Sequence, residues 1–208
     1  MPGSRRIPAM ASLLLLRHAQ IEANVKGLWH GSTDSPLTWR GRRQARRTAR
    51  HIADNHRDLS AIYTSPLERC RQTAAAVASE IGITPEPVEG LAEYGIGEWE
   101  GLAFSHLAEQ HDFITRALAD HHFAPPGGET LASVSSRIVD ALTQIHHRHE
   151  GERVLVVGHG AALAVALGTL LNGDPARWVE YPVANCSLTE LVLSPSPYVN
   201  FFNSTQHL

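Results

Sequence analysis

The sequence predicts an α/β fold in which a mostly parallel sheet lies between layers of helices, and three observations carry that reading. Four consecutive leucines, Leu13 to Leu16, stop abruptly at Arg17 and His18. So short an apolar run between polar residues suits a strand buried on both faces of a parallel sheet. A second such run, Arg153-Val154-Leu155-Val156-Val157-Gly158, is apolar and β-branched and stops at His159. Between the two, helical spacing alternates with short strand-like segments, the order that βα units produce. In open sheets of this class the carboxyl ends of the strands border the ligand crevice, so both histidines reach one site if their strands are neighbours.

A chain of 208 residues suffices for one substantial core and is short for two. We expect a single domain over residues 11–208, preceded by a loose extension at 1–10. The net charge of −3 gives neither nucleic acid nor a membrane surface a reason to be the main partner, and no stretch approaches the length of a membrane span. The two cysteines, Cys70 and Cys186, lack CxxC or zinc-site spacing, which points to reduced thiols and a cytoplasmic protein.

In chain order, residues 20–38 are rich in glycine and polar side chains and read as a binding loop after the first strand. Thr38 is placed to cap a helix over 39–55, whose apolar stripe runs through Ala45, Ala49 and Ile52; its six arginines read as a solvated face. Residues 60–64 form a second strand. Ser65-Pro66 then reads as a cap followed by proline in the first helical turn, opening a helix that ends near Gly82. Arg69 lies at its start, where free N–H groups already favour anions, and Arg71 reads as exposed. Residues 85–101 form a tight loop in which Glu93, Glu98 and Glu100 lie among glycines and aromatic residues. Desolvation there would prepare one carboxyl group as a general acid.

Residues 102–123 are weakly helical and rich in histidine, without a metal-binding pattern such as HExxH, so no metal or other cofactor is expected. A turn at 125–130 leads into a helix over 131–149 with the stripe Val134, Ile138, Ala141, Leu142 and Ile145. The histidines in its last turn suit the helix dipole as partial positive charge. After His159 comes an apolar helix over 163–171, then strands at 187–193 and 199–202. Two histidines, two arginines and one carboxyl group suit phosphoryl transfer through a phosphohistidine: imidazole attacks phosphorus, cations neutralise the oxygens, and an acid protonates the departing alkoxide.

The ordered blocks Arg17-His18-Ala19 with Asn24, Asp34-Ser35-Pro36-Leu37-Thr38 with Gly41, Thr64-Ser65-Pro66-Leu67-Glu68-Arg69, Glu93-Tyr94-Gly95 with Trp99-Glu100-Gly101, Pro126-Gly127-Gly128-Glu129-Thr130 and Gly158-His159-Gly160 resemble the histidine phosphatase superfamily, in its phosphoglycerate mutase-like branch. The resemblance implies a three-layer, phosphoglycerate mutase-like fold and a metal-independent phosphomonoester hydrolase acting on a small phosphorylated substrate, as a monomer or homodimer. It implies His18 as nucleophile, Arg17, Arg69 and Asn24 around the phosphate, His159 stabilising the transferring group, and Glu93 as acid and then base. A lid over about 102–125 would hold specificity elements, with Arg116 and its histidines foremost and His30 a further substrate contact. The Gly-x-Trp-Glu-Gly form of the acid segment, the Pro-Gly-Gly-Glu-Thr block and the short chain favour a phosphatase over a mutase. Ala19 stands where the signature has glycine, which suggests a narrowed pocket or shifted loop and is the only support for a third reading, a non-catalytic phospholigand-binding regulatory protein.

Overall fold

The computed structural model describes residues 11–208; the extension expected at 1–10 lies outside the described residues. Its centre is a six-stranded sheet in the order β3-β2-β4-β1-β5-β6. The strands are β1 (Ser12–Arg17), β2 (Leu59–Thr64), β3 (Pro85–Pro87), β4 (Arg153–Gly158), β5 (Leu188–Val192) and β6 (Tyr198–Ser204). β3, β2, β4 and β1 run parallel, whereas β5 pairs antiparallel with β1, and β6 with β5.

Strand periodicity sends alternate side chains to opposite faces, and the leucine run serves two cores in this way. Leu13 and Leu15 join Val154 and Val156 on one face; Leu14 and Leu16 join Leu155 and Val157 on the other. The first face is covered by α6 (Leu131–Arg148) and α7 (Gly160–Asn172), the second by α2 (Trp39–Asn55) and α3 (Glu68–Ile81). β1 and β4 lie side by side in a register that pairs Arg17 with Gly158. The chain leaves β1 toward α2 on one face and leaves β4 into α7 on the other. The crevice between such strand ends is the ligand position of doubly wound sheets.

Several boundaries differ from the sequence reading. The loop after β1 contains a short helix, α1 (Glu22–Lys26), and β3 lies in the segment read as loop. Residues 102–123 break into α4 (Phe104–His111) and α5 (Phe113–Ala119) at Asp112, whose φ is 47°. α7 begins at Gly160 rather than 163, so His159 is itself its N-cap residue. α3 begins at Glu68 after Leu67, and Ser65 does not cap it. The cap comes from a distant loop: the Asp34 carboxylate accepts from Glu68 N at 2.8 Å, meeting one of the N–H groups a helix start leaves unpaired. His146, expected to bring positive charge to the end of α6, is buried, and burial pulls its pKa down. Both cysteines are free and buried. No described helix is long and apolar enough to cross a membrane.

Candidate active site

His18 and His159 follow β1 and β4 directly, and their rings meet edge to face with centroids 5.3 Å apart. The backbone joins the strand ends here, since His18 N donates to Gly158 O at 2.9 Å. His18 is 3 % exposed. Its Nδ1 lies 2.8 Å from Ala19 O, and because a carbonyl only accepts, the proton is on Nδ1 and Nε2 keeps its lone pair. Burial, with Arg17 and Arg69 adding to it, holds the His18 pKa well below the usual histidine value. The ring is therefore neutral and nucleophilic at neutral pH.

His159 is fully buried and its pKa is lowered well below the usual value by the same causes, burial first and then Arg69. Its Nδ1 accepts from Arg69 Nε at 3.2 Å, and its Nε2 donates to Ser65 Oγ at 2.7 Å. Arg69 is 1 % exposed. Its remaining N–H groups donate to the carbonyls of His30, Gly31 and Thr33 and to the Asp34 carboxylate. With five donors committed, Arg69 contacts a phosphate in this conformation only by exchanging a protein partner. Arg17 differs: one amino group donates to Val183 O, while its buried Nε–H has no partner. Arg17 therefore has hydrogen-bonding capacity unused by the protein beside the nucleophile.

Glu93 is positioned from both sides. Its backbone carbonyl accepts from Arg137, which also holds Ala92 O and pairs with Glu129 at 2.7 Å. Its carboxylate accepts from the N–H groups of Ala161 and Ala162 at 3.1 and 2.7 Å, in the first turn of α7, where helix N–H groups favour an anion. The expected setting among aromatic residues is thus replaced by anchorage on backbone amides. Glu100, one of the neighbouring glutamates, organises the 31–33 loop by accepting from Gly31 N, Ser32 N and Thr33 Oγ1. The carbonyls of that loop then hold Arg69. Glu98 is exposed, as a solvated residue would be.

Arg17, His18 and Glu93 open onto a cavity of about 360 Å³ that Asn24 and His30 also line, with His159 and Arg69 buried behind its wall. The Asn24 side-chain oxygen accepts from Ile21 N and from Asn185, and Asn185 also donates to His18 O, tying the loop to the nucleophile. Burial lowers the His30 pKa, so this side chain is neutral near pH 7.

Two sequence expectations are corrected. Arg116 does not line the cavity: it is exposed on α5 and stacks over the Phe123 ring at 3.9 Å. The histidines of residues 102–123 are also outside the wall, to which that segment contributes Phe104 and Ile114 instead. Ala19 neither narrows the pocket nor strains the loop. Its methyl packs in the core with Leu16 and Ile21, its φ is not positive, and its N–H donates to Thr73 Oγ1 at 3.0 Å.

A family profile for the histidine phosphatase superfamily (branch 1) matches residues 13–200. The chain belongs to that superfamily. It is 31% identical to phosphoserine phosphatase 1 of Hydrogenobacter thermophilus over 180 residues, covering 86% of this chain and 84% of that one. It is 32% identical to the metal-independent phosphoserine phosphatase of Arabidopsis thaliana over 179 residues, 79% of this chain and 74% of the relative. The phosphoserine phosphatase of Entamoeba histolytica, solved with 3-phosphoglyceric acid, superposes with a TM-score of 0.86 at 30% identity, covering 96% of this chain and 100% of that one. The protein is a histidine phosphatase with the phosphoglycerate mutase-like fold.

The sequence brings His18, His159, Arg17 and Glu93 to notice, and the structure places all four at the strand ends or facing them. It left unnoticed the groups that hold these in place: Ser65 on His159, Arg137 on the Glu93 backbone, and Asp34 and Glu100 around Arg69. Ser65, Asp34 and Glu100 lie within the short blocks and Arg137 within none, and each acts across more than 30 positions of chain, beyond the reach of a local pattern.

Proposed function

We propose that this histidine phosphatase hydrolyses phosphomonoesters through a phosphohistidine on His18 Nε2. The observation that carries the assignment is the Nδ1–H bond to Ala19 O, which leaves the unprotonated Nε2 as the attacking atom. In the first step the Nε2 lone pair forms a bond to phosphorus and the ester P–O bond breaks. The departing oxygen keeps that electron pair and takes the proton that Glu93 delivers to it as general acid. Arg17 neutralises the oxygens of the transferring group, with His159 and Asn24 beside it. Arg69 supplies fixed charge and holds the 30–34 loop, and reaches the phosphate after trading one of its loop carbonyls. In the second step Glu93 takes a proton from water, the water oxygen bonds to phosphorus, and the P–N bond breaks to release phosphate.

The phosphoserine phosphatases among the relatives support hydrolysis as the outcome, and the core placement of Ala19 removes the one feature that favoured a binding protein without turnover. The test is hydrolysis of p-nitrophenyl phosphate by the wild type and its loss in His18→Ala. Equal activity in the variant would overturn the nucleophile. Interconversion of phosphoglycerates without release of free phosphate would overturn hydrolysis.

A further inference from the structure

Above its charged floor, the cavity wall is apolar and aromatic: Leu28, Trp29, Phe104, Ile114, Trp178 and Val179. Trp29 lies 5.4 Å from Phe104 and 6.5 Å from Trp178, centroid to centroid, so the rings form a slot rather than scattered contacts. Phe104 is 52% and Val179 49% exposed, leaving apolar surface open to water at the mouth. Among the described residues the only charged side chains on this cavity are Arg17 and Glu93, and phosphoryl transfer occupies both. Arg69 is buried behind the cavity wall and Arg116 is stacked on Phe123, and neither lines the cavity, so neither faces a substrate carboxylate in the slot. Asn24 and the neutral His30 add polarity without charge. An amino acid ester such as phosphoserine would bring an ammonium and a carboxylate to a wall that offers each no partner, and desolvating them unpaired is costly.

We infer that the leaving group of the physiological substrate is an uncharged apolar or aromatic alcohol, seated in the slot of Trp29, Phe104, Ile114 and Trp178 while its phosphate lies on Arg17 and His18. The cavity is at the lower end of the roughly 300–1,000 Å³ usual for small-molecule sites, room for a phosphate and one ring-sized group. The assignment rests on the phosphatase reading above.

The test compares three primary alkyl esters whose leaving oxygens are of one kind: phenethyl phosphate, ethyl phosphate and O-phosphoserine. Burial of the phenyl ring should raise kcat/KM for phenethyl phosphate over ethyl phosphate by about 30-fold, with phosphoserine below both. Ile114→Asp should reduce that preference to about threefold or less by placing an unpaired charge in the slot. Phe104→Ala should reduce it by about fivefold through lost contact area. Phosphoserine as the best of the three, or a preference unmoved by both variants, would overturn the inference while leaving the phosphatase reading intact. No release of phosphate from these esters or from p-nitrophenyl phosphate would overturn both.

Discussion

At the scale of single residues, the site depends on which ring nitrogen of His18 carries the proton and on where Glu93 puts its carboxylate. The first follows from one bond to Ala19 O and the second from two amides of α7. Glu93→Gln is close in shape and has no proton to transfer as a carboxylic acid. It should lower kcat for ethyl phosphate by about 10²–10⁴-fold, the usual worth of general acid–base catalysis. Formation of the phosphoenzyme from p-nitrophenyl phosphate should suffer far less, because nitrophenolate departs without protonation. Stopped-flow absorbance would then show a burst of nitrophenolate followed by slow turnover; equal loss in both phases would contradict the acid role. Arg17, His18 and His159 were legible because a buried strand that ends in a charged or titratable side chain is conspicuous in sequence. The commitment of Arg69 was not: an arginine at a helix start looks like a free anion clamp until the carbonyls of the 30–34 loop are placed around it.

At the scale of elements, helix starts bring distant loops to the strand ends. Gly160, the first residue of α7, packs against Arg17: a Cβ there would lie 3.1 Å from the guanidinium carbon. Gly160→Ala should displace Arg17 by a few tenths of an ångström and raise KM for phosphate esters about tenfold, read from initial rates, with the fold intact by circular dichroism. On the opposite face, a Cβ on Gly41 would lie 2.0 Å from Gln20 O, so α2 packs directly on the segment after His18. Asp34 joins two roles, pairing with buried Arg69 and capping α3. Asp34→Ala should destabilise the fold by about 2–4 kcal/mol in urea titration; a change below about 0.5 kcal/mol would count against the remote cap. The strands and long helices were legible because period and capping are local signals, as at Thr38, which caps α2 as its sequence suggests. β3 was missed because three residues, two of them proline, carry no period, and the α3 cap because the carboxylate that accepts from Glu68 N is 34 positions away.

For the whole molecule, the two histidines buried neutral between the strand ends make stability depend on pH. Their folded pKa values lie below the usual 6.5, so as pH falls through about 6.5 the unfolded chain takes up protons that the folded one does not. Stability is full above that value and declines below it, by about 1.4 kcal/mol per pH unit for each such histidine until its folded pKa is reached. Urea midpoints should be level from about pH 7 to 8 and drop below about pH 6.5, more shallowly in His18→Asn. A flat profile down to about pH 5 would contradict the buried neutral state. The same neutrality is what allows His18 to attack phosphorus, and a phosphoenzyme on His18 is its direct consequence. The direct measurement is to mix Glu93→Gln with p-nitrophenyl phosphate labelled in its phosphoryl group, quench, and map the label by peptide mass spectrometry and phosphorus NMR. The expected result is one acid-labile, alkali-stable phosphoryl group on His18, bonded to Nε2. Label on Nδ1 or another residue, or none when nitrophenolate is released in a burst, would contradict it.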